Sequence, residues 1–287
     1  MEIRVLKYFI ESAKLQNITK AANKLNLSQP NLSRQLKDLE VKLGQKLFIR
    51  TNYKIILTKE GEMLYKRACD ILDLVDKTKQ EFKNLKDFNG GDVYIGCAES
   101  IGIVKIARTA KKLQNKNIKF HIFSGNYENV VNKLQNSLID FAVVVQEFDI
   151  SNFSYLDLNH SDTWGIIMKN TSKYAKQKDI SINDLFQMPL IVSRQGFTQE
   201  MPNVLRQNQD KLNIVATYDL LYNAAIFVKE DIGYALSLDK LINTNDDLCF
   251  KPINPLITSN LRLIWIDDKL SDVARIFLKE LQKDLKN

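Results

Sequence analysis

The sequence predicts two parts: a small, all-α winged helix-turn-helix module ending in a long linker helix, then a larger α/β domain of two lobes. Three observations lead there. Positive charge is concentrated at one end, because residues 1–67 hold 14 Lys/Arg against 6 Asp/Glu while residues 68–287 hold 27 against 28. Apolar residues recur at helical spacing from the start of the chain to about residue 85. Past Asn89-Gly90-Gly91, the clearest linker, the pattern changes to short apolar strands alternating with helices. The predicted divisions are 1–58 for the helix-turn-helix, 59–89 for the linker helix and 90–287 for the α/β domain. Within the last, lobe I takes about 90–161 and 263–287, and lobe II takes 162–262.

Leu6, Phe9, Ile10 and Ala13 place a first helix over 3–13. A second begins near Thr19, with Ala21, Ala22 and Leu25 inward. After a break at Asn26-Leu27, Ser28 offers an N-cap, and Pro30 sits in a first turn where its missing N–H costs nothing. The third helix follows through Leu39. Helix, tight turn and capped helix make a helix-turn-helix. Its third helix turns Gln29, Asn31, Ser33, Arg34 and Lys37 outward, side chains suited to base edges and phosphates. A plain three-helix bundle would more often show Glu/Lys pairs there, so the surface together with the local charge points to DNA.

KLFIRTNYKIILT, residues 46–58, reads as a two-stranded wing with its turn at Thr51-Asn52. Arg50 and Lys54 flank that turn and would grip phosphates without specifying sequence. A helix over 58–85 follows, roughly 40 Å long at 1.5 Å per residue. Leu64, Ala68, Ile71, Val75, Thr78, Phe82 and Leu85 form a heptad seam along it, which favours a dimerisation helix over one packed on a globular core. Two copies would also carry two recognition helices to two half-sites.

In the α/β region, strands are expected at 93–97, 119–124, 141–145, 164–169, 190–193, 213–218, 233–236 and 261–266. Helices are expected at 101–113, 127–137, 182–186, from about 199, at 220–229 and at 271–285. Two such lobes leave a cleft at their strand ends, where ligands bind.

Composition narrows the function. Cys69, Cys97 and Cys249 match no metal or disulfide spacing, and His121 and His160 are isolated. No GxSxG, P-loop, HExxH or GxGxxG motif occurs. The expectation is a cytoplasmic, reduced protein that is not an enzyme and has no metal, cofactor, signal peptide or membrane span. Cys97, after the first strand of lobe I, reads as a buried structural thiol, with a redox sensor as the lesser alternative. A solute-binding protein and a nonspecific, architectural DNA binder are the remaining rivals. The attached basic helix-turn-helix argues against the first, and the large cleft domain against the second.

The run ITKAANKLNLSQPNLSRQLKDLEVKLGQKLFIRTNYKIILTKEGE closely resembles the DNA-binding domain of LysR-type transcriptional regulators. The paired alanines, SQPxLSRQ, LExxLGxxLFxR and LTxxGE all fall at that family's spacing, and the likeness extends over the whole chain. The resemblance implies a homo-oligomer, dimer or tetramer, on double-stranded promoter DNA, with RNA polymerase as a candidate partner. Thr19, Lys20 and Pro30 join the DNA contacts named above. It also implies an effector domain like type 2 periplasmic binding proteins, with a small molecule between the lobes shifting how the oligomer holds DNA. SGNYENV, DTWGIIMKN and PLIVSRQG resemble a branch whose effectors are mostly undefined.

Carried onto this chain, the effector contacts are Glu99 and Ser100 after the first strand and Ser124, Gly125 and Asn126 after the second. The other lobe supplies Ser193, Arg194 and Gln195, with Thr217 and Tyr218. Glu99 departs from family members that bind organic acids, because a carboxylate repels an anion. A polar or amino-bearing effector is therefore expected. The alternative is that Glu99 and Arg194 pair across the cleft as a structural latch.

Overall fold

A computed structural model describes residues 1–51, 54–84, 90–145, 152–194, 202–244 and 247–286. The chain divides into two compact units, Met1–Phe88 and Asn89–Asn287.

The first unit opens with α1 (Ile3–Leu15), which buries Val5, Leu6, Phe9 and Ile10 along one face. Asn17 caps α2 (Ile18–Lys24) by accepting the Lys20 amide at 2.9 Å. The small side chains of Ala21 and Ala22 are fully covered, which lets the helices cross closely. The turn passes through Asn26 at φ +55°, a conformation Asn tolerates. α3 (Gln29–Leu43) is longer than its periodicity suggests, running past Leu39 to Gly44, whose φ of +66° closes it. Ser28 holds the N-cap position, but its side chain makes no capping bond, contrary to expectation. Leu32, Leu36 and Leu39 point inward.

The wing is β1 (Phe48–Arg50) paired antiparallel with β2 (Ile55–Leu57), Arg50 opposite Ile55. Each strand starts one residue later than expected, and the predicted turn residue Asn52 lies outside the described residues. Thr51 closes the wing by donating from its backbone and hydroxyl to the Lys54 carbonyl at 2.9 and 2.8 Å. Thr58 accepts the Gly61 amide at 3.0 Å and starts α4 (Lys59–Asn84). At Gly61 a Cβ would come within 2.2 Å of the Leu47 carbonyl oxygen, so the helix begins as close to the wing as backbone allows.

α4 corrects the heptad reading. Ala68 is 0% exposed, and Leu64 and Ile71 pack on the same core as Phe9 and Leu36, so the first half of the seam faces its own domain. Val75 is half-buried, while Thr78 and Phe82 are exposed, Phe82 at 66%. Leu85 lies outside the described residues.

In the second unit, β3 (Gly91–Cys97), α5 (Val104–Leu113), β4 (Ile118–Ser124), α6 (Tyr127–Gln135) and β5 (Phe141–Val145) build a parallel sheet in the order β4-β3-β5. β6 (Ser154–Lys169) then crosses to the other lobe. That lobe holds β7 (Ile180–Ser181), α7 (Ile182–Leu185), β8 (Pro189–Ser193), α8 (Asn203–Arg206), β9 (Asn213–Tyr218), α9 (Leu221–Lys229), β10 (Tyr234–Leu238) and β11 (Leu248–Asn254). Here β10, β8 and β9 run parallel, and β10 and β11 pair antiparallel with the far end of β6. β12 (Thr258–Trp265) returns between β5 and the near end of β6, and α10 (Asp272–Lys286) closes the chain. β6 thus runs through both lobes, the link from β11 to β12 makes the second crossing, and β6 and β12 are antiparallel additions to parallel sheets. Only the lobe II end of β6 and the C-terminal part of β12 are apparent in the sequence. Residues 154–163 alternate apolar with Asp157, His160 and Asp162, and β11 carries Pro252, so neither reads as a buried run. The helix expected from about residue 199 is described only as α8, because 195–201 lie outside the described residues.

The lobe I core centres on Phe141, which meets Trp265 and Phe277 edge-on at 6.3 and 5.4 Å between ring centres.

Candidate functional site

Two surfaces carry the predicted residues. On the first unit, Thr19, Lys20, Gln29, Pro30, Asn31, Arg34, Lys37, Arg50 and Lys54 are all exposed, and Ser33 is half-buried. The inward leucines of α3 leave its opposite side free to present Gln29, Asn31, Arg34 and Lys37. Wing and helix are joined directly, because Arg50 Nη1 donates to Ser33 Oγ at 3.2 Å. Behind them lies Glu40, which the sequence reading missed. Its side chain is 4% exposed, its Oε1 accepts the Leu47 and Phe48 amides at 2.8 and 3.2 Å, and its Oε2 faces Lys46 at 3.7 Å and Arg50 at 4.0 Å. A charge inside a helical pattern gives no hint of this, since its partners are backbone amides of the approaching wing.

The second surface is a cleft of about 490 Å³ between the lobes of the α/β unit. Of the residues carried over as effector contacts, Glu99, Ser124, Gly125, Asn126, Ser193, Arg194 and Tyr218 line it. Ser100 does not. It is 6% exposed, donates to Asp162 Oδ2 at 2.6 Å and accepts the Gly102 amide at 2.9 Å, so it pins the loop after β3 to the crossing strand β6. Thr217 is not among the lining residues either, since alternation along β9 turns it away from the Tyr218 side. Gln195 lies outside the described residues. The sequence reading missed Tyr127, Asn129, Trp164, Asp219, Leu220 and Ser237. Trp164 was legible as a strand residue but not as a cleft residue, because only the crossing of β6 places it at the junction.

Several wall groups already have partners. Tyr218 Oη donates to the Leu236 carbonyl at 2.9 Å, Trp164 Nε1 to Ser259 Oγ at 2.8 Å, and Ser237 Oγ to the Leu238 carbonyl at 3.0 Å. Asn126 caps α6 by accepting the Asn129 amide at 2.7 Å. Among the described residues, the charged groups that line it are Glu99, Arg194 and Asp219. The latch between Glu99 and Arg194 is not the arrangement seen. Arg194 Nε lies 3.8 Å from Asp219 Oδ1, while Glu99 Oε2 accepts the Leu221 amide at 3.4 Å.

Burial pushes the Cys97 thiol up, and the negative charge of Glu99 adds to the shift, so the reactive thiolate is disfavoured. His121 stacks on Tyr94 and meets Asp92 at 2.8 Å, and His160 meets Asp162 at 3.0 Å. Among the described residues no His/Cys/Asp/Glu group is arranged to hold a metal ion, and no helix is long and apolar enough to cross a membrane.

Comparison with known proteins covers both parts of the chain. Residues 3–62 match the family described as bacterial regulatory helix-turn-helix protein, lysR family, and residues 86–286 match the LysR substrate binding domain. The chain belongs to the LysR family of transcriptional regulators. Among its relatives, the HTH-type transcriptional regulator BsdA of Bacillus subtilis (strain 168) is 31% identical, over 75% of this chain and 74% of that protein. A probable RuBisCO transcriptional regulator of Phaeodactylum tricornutum (strain CCAP 1055/1) is 27% identical over 100% and 96%. Among solved structures, that of CbnR, a LysR family transcriptional regulator, superposes with a TM-score of 0.76 at 17% identity, covering all of both chains. Full-length CbnR complexed with its target DNA gives 0.73 at 17% identity, over 99% of this chain and all of that one. At that identity the structural likeness speaks for the fold alone. Membership in the LysR family makes this chain a DNA-binding transcriptional regulator with an effector domain, and not an enzyme.

Proposed function

We propose that this LysR-family regulator reads one class of promoter site through α3 and changes its hold on that DNA when a small molecule enters the cleft. Gln29, Asn31, Ser33 and Arg34 read base edges. Thr19, Lys20, Pro30, Lys37, Arg50 and Lys54 hold the duplex at its backbone. The exposed polar row on α3, backed by a wing anchored on Glu40, carries the reading. Residues 1–58 act as reader, 59–89 as coupling helix and 90–287 as sensor. The part of α4 beyond Ile71 joins subunits into a dimer or tetramer. The protein works in the cytoplasm on a polar or amino-bearing effector, because Glu99 faces the cleft.

Selection of bound duplexes from a random DNA pool tests this. The expected result is one recurrent, two-fold-related site, retained against excess nonspecific competitor. Binding with no recurrent site would instead make the chain an architectural DNA binder.

A further inference from the structure

Glu99 reaches across the cleft. It follows β3 of lobe I, yet its Oε2 accepts the backbone amide of Leu221, the first residue of α9 in lobe II, at 3.4 Å. Helix starts leave amides without partners, which local Ser, Thr, Asp or Asn side chains commonly satisfy. α9 lacks that device. Its N-cap residue is Leu220, no side chain of that residue caps it, and its first turn holds no acidic residue. The nearest acidic neighbour in sequence, Asp219, lies 3.8 Å from Arg194 instead. The carboxylate at the start of α9 is therefore supplied by the opposite lobe.

Both ends of this contact are firmly seated. The backbone beside Glu99 is held through Ser100, whose Oγ donates to Asp162 Oδ2; Asp162 is 2% exposed, and its Oδ1 meets His160 Nε2 at 3.0 Å. At Gly102 a Cβ would come within 2.6 Å of the His160 ring, so this corner has no slack. On the other side, the Leu221 side chain is 1% exposed in the lobe II core. Between two fixed ends, the exposed Glu99 side chain is the movable part.

We propose that Glu99 is a charge-operated clasp between the lobes, capping α9 in the free protein, and that an ammonium-bearing ligand opens it by taking the carboxylate. This rests on the reading of the cleft as the effector site and names the effector's class and action. A long hydrogen bond to one amide exchanges readily for an ion pair with a cation seated in the cleft. A carboxylate ligand does not open the clasp, because at the start of α9 Glu99 already fills its position and repels it. Release removes the cap from α9 and a direct polar tie between the lobes, leaving the crossing strands β6 and β11–β12 to set a different lobe spacing.

Hydrogen exchange of the full-length protein tests the clasp without a ligand. Exchange at Leu221 should rise about tenfold in Glu99→Ala and less in Glu99→Gln, while β5 amides stay protected as a folding control. Unchanged Leu221 exchange in Glu99→Ala overturns the clasp. Cadaverine and glutarate, a five-carbon diamine and diacid, then test the charge class. Cadaverine should raise Leu221 exchange in the native protein, glutarate should not, and Glu99→Gln should abolish the cadaverine response. A glutarate response equal to that of cadaverine, or no response to either, ends the ammonium assignment. The clasp can fail while the wider reading survives: that reading falls only if no small molecule in the cleft alters DNA binding.

Discussion

Glu40 Oε1 accepts the Leu47 amide at 2.8 Å, so a carboxylate at the back of the recognition helix holds the residue that leads into the wing. The same oxygen takes the Phe48 amide, and both amides are buried. Replacing Glu40 with Ala leaves them without their acceptor, at a cost of about 1–3 kcal/mol. Glu40→Gln keeps a neutral acceptor and should cost less. Chemical denaturation measures the loss, and hydrogen exchange at Leu47 and Phe48 locates it. If exchange there is unaltered in Glu40→Ala, Glu40 does not hold the wing.

Arg34 and Lys54 are both exposed but serve different ends in the proposed complex. Arg34→Ala should weaken binding to the selected site by about 1–3 kcal/mol and relax preference at one base position. Lys54→Ala should weaken binding evenly across sequences and reduce the salt slope by about one unit. Fluorescence anisotropy with cognate and scrambled duplexes over a salt series separates the two. An even loss in Arg34→Ala would make it a phosphate contact.

The outer half of the α4 seam predicts association. Phe82 is 66% exposed in the single chain, and burying a phenylalanine side chain stabilises by about 1.5–3 kcal/mol. Val75→Glu or Phe82→Glu should therefore weaken self-association by at least tenfold, read by sedimentation equilibrium. Ala68→Glu should instead damage the fold of the first unit, because Ala68 is enclosed by its own chain. Native-like association of Phe82→Glu would place the subunit contact elsewhere.

Asp284 joins α10 to α5. Hydrogen bonds from Lys112 and then Thr109 hold its carboxyl below the usual range, against the opposing effect of burial. A lowered folded-state pKa contributes stability above the unfolded value, near 3.9, that is lost as pH falls through the folded value. Asp284→Asn should lower the denaturation midpoint by more at pH 7 than at pH 3. A gap that stays constant between those pH values would show that the carboxylate charge plays no part.

Much of the helix-turn-helix was legible because local rules govern it. The inward Ala and Leu of α2 and α3 have one period, the turn needs Asn26, and Pro30 suits a first turn. The cleft was legible only in part. Glu99, Ser124, Gly125, Asn126, Ser193, Arg194 and Tyr218 sit beside strand ends, which periodicity locates, whereas Tyr127, Asp219 and Leu220 enter through how the following helices start. Ser100 has the right position but the wrong direction, since its hydroxyl meets Asp162, a residue 62 positions away.

By itself the sequence determined what depends on neighbours along the chain: the helical module, the alternation of strand and helix, the concentration of positive charge, and the family those motifs belong to. Tertiary structure decided which partners distant groups find. It turned half of a heptad seam into a domain core, set the Glu40 carboxylate beneath the wing, and placed Glu99 at the start of α9 rather than opposite Arg194. The reason is physical. Helical spacing fixes which side a residue faces, but a carboxylate's partner is fixed by whichever donors the packed chain brings within about 3.5 Å.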